Sequence, residues 1–129
     1  MKKLEDDMET YKLGEMETKL AELIWAHAPL KTAELVRLCE EAFDWKRTTT
    51  YTMFKRLCDR GIFINNAGMV QVQMDREDFL SHQGTQFIRE HFEGSLPLFL
   101  TAFSRGNRLG KKDVEELKKL IDSYEEEQE

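Results

Sequence analysis

At Gly61 the apolar period of this chain changes, and that change limits the possible fold more than any other feature of the sequence. Upstream lies Trp45-Lys46-Arg47-Thr48-Thr49-Thr50-Tyr51-Thr52-Met53-Phe54-Lys55-Arg56-Leu57-Cys58-Asp59-Arg60. At helical spacing Thr50, Met53, Phe54, Leu57 and Cys58 gather on one side, and Thr48, Thr49, Thr52, Lys55, Arg56 and Asp59 on the other. Downstream, Ile62-Phe63-Ile64 and Met69-Val70-Gln71-Val72-Gln73-Met74 flank Asn65-Asn66-Ala67-Gly68, and Val70, Val72 and Met74 alternate with Gln71 and Gln73. The pattern predicts an amphipathic helix that ends at a glycine and runs into a β-hairpin.

Two further helices are predicted before it. One begins near Gly14, with Glu15 and Glu17 in its first turn and a stripe of Met16, Leu20, Leu23, Ile24 and His27, and stops before Pro29. His27 reads as a core-edge residue. The other takes Thr32 as N-cap with Glu34 behind it, carries Leu35, Val36, Leu38, Cys39 and Ala42 on its apolar side, and runs to Phe43. Residues 1–12 read as a loosely ordered lead-in with isolated Leu4, Met8 and Tyr11.

Beyond Met74 the period is helical again. Asp75 caps a helix that carries Phe79, Leu80, Gln83, Phe87, Ile88 and Phe92 and ends at Gly94. Ser95 caps a brief, mostly buried helix through Leu96-Pro97-Leu98-Phe99-Leu100-Thr101-Ala102-Phe103, and Arg105-Gly106-Asn107 form a loop. A last helix from Lys111 presents Val114, Leu117, Leu120, Ile121 and Tyr124 before a glutamate-rich tail. Three helices cannot enclose this many large apolar groups, so a two-fold interface between copies is expected over Phe87, Phe92, Leu96, Leu98, Phe99, Phe103, Leu117, Leu120 and Ile121.

Three helices followed by a hairpin is the order of a winged helix-turn-helix, in which the third helix enters a DNA major groove. The predicted organisation is a lead-in (1–12), a winged helix-turn-helix domain (13–74) and a helical dimerisation domain with an acidic tail (75–129). The fold class is mainly α with a small β-hairpin. A net charge of −6 opposes DNA binding only until it is divided along the chain. Residues 1–74 hold 11 basic and 12 acidic side chains; residues 75–129 hold 8 and 13. Residues 45–60 hold Lys46, Arg47, Lys55, Arg56 and Arg60 against Asp59 alone. Screening acts over about 8 Å at cellular salt, so this basic stretch can engage phosphates by itself. Thr48, Thr49 and Thr52 are candidate base contacts, and the five cations are candidate phosphate contacts.

Other classes find little support. Cys39 and Cys58 sit at apolar positions and read as reduced thiols, and His27, His82 and His91 complete no metal-ligand spacing, so no metal or cofactor is expected. No nucleophile stands beside a base and no glycine-rich phosphate loop occurs, so no catalytic residues are assigned and an enzyme is not expected. No apolar run reaches the roughly 18 residues of a membrane helix, and the N-terminus lacks a signal peptide's apolar region, which predicts a cytoplasmic protein. The rival reading is a winged-helix module that binds protein and not DNA.

Several short motifs, in order and at matching intervals, resemble the penicillinase and methicillin-resistance repressor family and the related copper-transport repressors. They are Glu15-Met16-Glu17 leading to Ile24-Trp25, Thr32-Ala33-Glu34-Leu35, Trp45 with Arg47-Thr48-Thr49-Thr50-Tyr51-Thr52 and Arg56-Leu57, Gly61, Phe92-Glu93-Gly94-Ser95-Leu96, and Val114-Glu115-Glu116-Leu117. The resemblance covers residues 13–124. It implies a homodimeric repressor that binds a near-palindromic double-stranded DNA operator controlling resistance or stress genes. By position it assigns Thr48, Thr49, Tyr51, Thr52 and Arg56 to the DNA-facing helix and Trp45 to packing just before it. The β-lactam-responsive members are cut, on a signal from a membrane sensor protease, between an Asn and a Phe of the short helix. The matching pair here is Ala102-Phe103, which keeps the Phe and lacks the Asn. The copper-responsive members end in a Cys-x-Cys tail, whereas this chain ends in glutamates.

Overall fold

The computed structural model describes residues 11–128, so Leu4 and Met8 of the expected lead-in lie outside the described residues. Helix α1 spans Glu15–His27, strand β1 Leu30–Lys31, α2 Thr32–Phe43 and α3 Arg47–Asp59. Strands β2 (Phe63–Asn66) and β3 (Met69–Val72) follow, then α4 (Arg76–Phe92), α5 (Leu96–Gly106) and α6 (Lys111–Gln128). The class is the expected one, mainly helical with a small antiparallel sheet. Two compact units are formed, one ending at Phe87 and the other beginning at Ile88.

In the first unit, α1 supplies Leu20, Ala21 and Ile24, none of them exposed, and α3 packs against it through Thr50, Phe54 and Leu57. Leu35 and Cys39 of α2 close the other side of the same core. Helix α2 ends at Asp44, which takes a left-handed conformation (φ 57°) and donates its amide to the Glu40 carbonyl at 3.0 Å, while the next amide, of Trp45, donates to the Cys39 carbonyl. Only Asp44, Trp45 and Lys46 separate α2 from α3, and the Trp45 ring lies 4.9 Å from that of Phe43. This tight connection makes α2 and α3 a helix-turn-helix pair.

The sheet has a strand that the period of the sequence does not reveal. Its order is β1-β3-β2, with Leu30 opposite Val70 and Lys31 opposite Met69. Two residues are too short to show alternation, so β1 exists only by virtue of its partner. The hairpin is also tighter than expected, since Asn65 and Asn66 pair with Val70 and Met69 and leave Ala67-Gly68 as the whole turn. Both turn residues have positive φ (50° and 87°), the mark of a type I′ turn, and Asn65 Oδ1 accepts the Gly68 amide at 2.9 Å. Trp25 Nε1 donates to the Met74 carbonyl at 3.0 Å and ties the end of the hairpin to α1. Phe79, although in α4, is 2% exposed within this core, with Trp25 at 5.5 Å and Tyr11 at 5.8 Å between ring centroids.

Some local expectations are corrected. Tyr11 is no loose lead-in residue, because it also stacks on His82 at 4.9 Å and its carbonyl accepts from Gln83. Thr32 is not an N-cap; Lys31 holds that position and no side chain caps the helix. His27 is exposed, with Nδ1 2.9 Å from the Leu23 carbonyl. Asp75 and Ser95 do cap as expected, accepting the amides of Asp78 at 2.8 Å and Leu98 at 3.1 Å.

The second unit contains α5 and α6. Phe99 meets Phe92 edge-on at 5.4 Å and Phe103 at 6.1 Å. Helix α5 extends to Gly106, through the expected loop, and none of its residues is buried. The expectation of a mostly buried helix fails because α5 and α6 alone cannot cover both sides of it. Leu96, Leu98, Phe103, Leu120, Ile121 and Tyr124 remain 40–65% exposed. Phe99, Leu100, Phe103, Leu109, Leu117 and Leu120 line an open groove of about 460 Å³.

Alanine at the first position of a type I′ turn is held at φ 50° with a Cβ that disfavours it. Replacing Ala67 by Asn, which visits this region more readily, is expected to raise stability by about 0.5–1 kcal/mol in urea denaturation. An unchanged or lowered midpoint would show that the turn is not strained.

Candidate nucleic-acid interface

Burial of Thr50, Phe54 and Leu57 fixes the rotation of α3, and the rest follows from a 100° step per residue. Thr48, Thr52, Lys55 and Arg56 fall on the opposite side and are exposed, as are Lys46 and Arg47 at its start. Thr49 and Tyr51 are half-buried at the edges of that side. All eight residues expected to face DNA are therefore brought together on α3 or immediately before it. Hydroxyls and cations therefore share one exposed face.

The cations differ in how free they are. Among the described residues Lys46, Arg47 and Arg56 form no ion pair with an acid. Lys55 Nζ lies 3.2 Å from Asp59, but at 78% and 64% exposure this pair is held weakly and can exchange its partner. Arg60, expected as a phosphate contact, turns the other way. Its Nε donates to Glu17 Oε2 at 2.9 Å, with the two side chains only 23% and 12% exposed. That pair joins the C-terminal end of α3 to the first turn of α1 and removes Arg60 from the exposed patch. Lys31 is exposed beside the hairpin, opposite Met69, and was missed because β1 itself has no sequence signal.

The Arg47 guanidinium carbon lies 5.5 Å from the Tyr51 ring centroid. The nearby Thr32 hydroxyl chiefly, with Arg47 behind it, lowers the phenol from the ordinary tyrosine range. On the inward side, the buried Thr50 hydroxyl has no hydrogen-bond partner among the described residues. Burial raises the Cys39 thiol, with the nearby Thr50 hydroxyl acting the other way; burial, with the Asp59 charge, raises Cys58. Both cysteines are free thiols, and their shifts favour the unreactive protonated form.

The residues expected at an interface between copies lie on α4, α5 and α6. Phe87, Leu96, Leu98, Phe103, Leu120 and Ile121 are exposed, while Phe92, Phe99 and Leu117 are half-buried. Ala102 and Phe103 are consecutive exposed residues of α5. Among the described residues no helix is long and apolar enough to cross a membrane.

A helix-turn-helix pair resting on α1, with a three-stranded sheet whose hairpin follows the second helix of the pair, defines a winged helix-turn-helix, here followed by further helices. The chain belongs to the penicillinase repressor family, whose profile matches residues 13–123. It is 22% identical over 116 residues to the penicillinase repressor of Bacillus licheniformis, a match spanning 87% of this chain and 91% of that protein.

The unpartnered hydroxyl of Thr50 gives a direct test of which side of α3 is core. Thr50→Val keeps the shape and removes the buried oxygen, so stability should rise by about 1 kcal/mol in urea denaturation. A loss of that size would mean that the hydroxyl has a hydrogen-bond partner after all.

Proposed function

We propose that this protein is a non-catalytic transcriptional repressor that binds a near-palindromic DNA operator as a homodimer. The single observation that carries the reading is the outward side of α3, where Thr48, Thr52 and Arg56 are exposed together while the opposite side is locked in the core. Membership of the penicillinase repressor family supports the same conclusion.

In this reading α3 of each subunit enters a major groove. Thr48, Thr49 and Thr52 meet base edges through their hydroxyls and thymine methyls through their own methyls. Lys46, Arg47, Lys55 and Arg56 hold phosphates and release counterions on binding. The hairpin carries Asn65 and Asn66 and no Lys or Arg, so its contribution to the backbone is through neutral donors. Repression is by occupancy, the bound dimer excluding RNA polymerase. A second copy covers the apolar side chains of α5 and α6, and a two-fold dimer places two copies of α3 on two half-sites.

Two measurements test the two halves of this proposal. In gel-shift titrations against the DNA upstream of its own gene, Thr52→Ala should weaken binding about fivefold on the operator and leave other duplexes unaffected. Arg56→Ala should weaken binding to every duplex and reduce the salt slope by about one unit. Unchanged affinity in both variants would remove α3 from the interface. For the dimer, Leu120→Lys combined with Ile121→Lys alters only exposed positions, 65% and 54% open, so the fold is not at stake. Sedimentation of that variant at the monomer mass of 15.2 kDa is the expected outcome, and a persisting dimer would place the interface elsewhere.

A further inference from the structure

Helix α6 carries its charges against its own dipole. Lys111 and Lys112 stand in its first turn with Arg108 just before it, and Asp122, Glu125, Glu126 and Glu127 follow toward its far end, where the last turn holds no cation. A helix favours the reverse, because free amides leave its start positive and free carbonyls leave its end negative. Asp113 alone supplies an acid to the first turn. Among the described residues Arg108, Lys111, Lys112, Asp122 and the three glutamates form no ion pair. The two ends do not neutralise each other either: Lys111 and Glu126 are about 22 Å apart along the helix, and a charge reaches only about 8 Å at cellular salt.

The apolar side of α6 is also open. Val114, Leu117, Ile121 and Tyr124 recur at intervals of three, four and three, the spacing of a seam between two helices. Ile121 and Tyr124 are 54% and 62% exposed. In an antiparallel pair about a two-fold axis, setting Leu117 opposite the partner's Ile121 also sets Val114 opposite the partner's Tyr124. The same register brings Lys111 and Lys112 level with the partner's Glu127 and the partner's Glu126. Apolar spacing and charge therefore select one alignment independently. A parallel pair would set glutamates against glutamates.

We propose that α6 pairs antiparallel with α6 of a second copy, the basic start of each against the acidic end of the other, so that charge fixes the orientation of the dimer. This rests on the homodimer reading and adds to it a helix, a direction and a register. Each helix start gains the acids its dipole favours, and each helix end gains cations. The pairing also restricts the partner to a helix of the same polarity, since one with acids at its start and bases at its end would bring like charges together.

Sedimentation equilibrium of the full chain, with charges reversed at either end of α6, tests the pairing. Arg108→Glu, Lys111→Glu and Lys112→Glu together make the start acidic; Glu125→Lys, Glu126→Lys and Glu127→Lys together make the end basic. Each set alone should weaken dimerisation about tenfold, and mixing the two chains should bring it back to within about twofold of the parent, because both contacts of the mixed pair are then complementary. Both sets suit the dipole of α6, so helical content by circular dichroism should hold, and dissociation is then not unfolding. In 1 M salt, where screening acts over about 3 Å, the differences should vanish. Reversed chains that dimerise as tightly as the parent, or a mixture no tighter than its components, would overturn the pairing. So would an acidic-start chain that stays dimeric but loses affinity for every duplex, which would make the basic turn a DNA contact. Should Leu120→Lys with Ile121→Lys give monomers while the reversals do not, the dimer stands and its charge-set orientation falls; a parent that is monomeric throughout removes both.

Discussion

The structure depends on the burial of one side of α3 against α1. Leu20, Ala21 and Ile24 present a flat, fully buried surface, and the small side chain of Ala21 leaves room for α3 to approach. Phe54 and Leu57 are 3% and 0% exposed there, and burying two such side chains contributes about 3–6 kcal/mol relative to leaving them in water. That energy sets an angle as well as a stability. A rotation of α3 by one residue, 100°, would carry Phe54 into solvent and Lys55 into the core, and would turn Thr52 and Arg56 away from their present side. The Arg60–Glu17 pair adds a directional contact at the far end of the helix, between side chains already mostly shielded from water. The outward face is therefore a consequence of the inward one.

This is also why α3 was legible in the sequence. Its two sides obey a 3.6-residue period, and the period depends only on neighbours within the helix. The caps at Asp75 and Ser95 were legible for the same reason, each bond spanning three residues. What failed was non-local. Strand β1 is two residues that become a strand only because Val70 and Met69 lie opposite. Thr32 has the composition of a cap, but Lys31, drawn into β1 opposite Met69, holds the cap position and Thr32 is already helical. Arg60 looks like one more cation of a basic stretch, and only the fold brings Glu17, 43 residues distant, against it. The exposure of α5 has a different cause: apolar composition states that a helix needs covering, but not which surface covers it.

The withdrawal of Arg60 changes the electrostatics of the proposed interface. The stretch 45–60 holds five cations and one anion, but the Arg60 charge is matched by Glu17, and Lys55 is shared with Asp59. The cations fully available to phosphates are Lys46, Arg47 and Arg56, two at the start of α3 and one two to three turns along it. Lys31, brought alongside the hairpin by β1, is a further cation that no helical pattern anticipates. With Asn65 and Asn66 at the hairpin tip, the proposed contact is sparse in charge for a chain whose total is −6. Each free cation then carries a large share of the counterion release, which comes to about 0.9 of a salt-slope unit per phosphate neutralised.

A sparse charge set gives positioning unusual weight. A surface dense in lysines tolerates poor placement of any one, because neighbours substitute for it. With three available cations on α3, the rotamer of each bears directly on affinity. Arg56 stands well inside a regular helix whose rotation is set by the core, whereas Lys46 and Arg47 lie at the helix start, where backbone hydrogen bonding is least complete. An arginine at that end gains most from a side chain that holds it, and Tyr51, one turn further along, is placed to do so. In this arrangement the core sets the direction of α3, and the contact of Arg47 with the Tyr51 ring bears on a group that the core cannot reach.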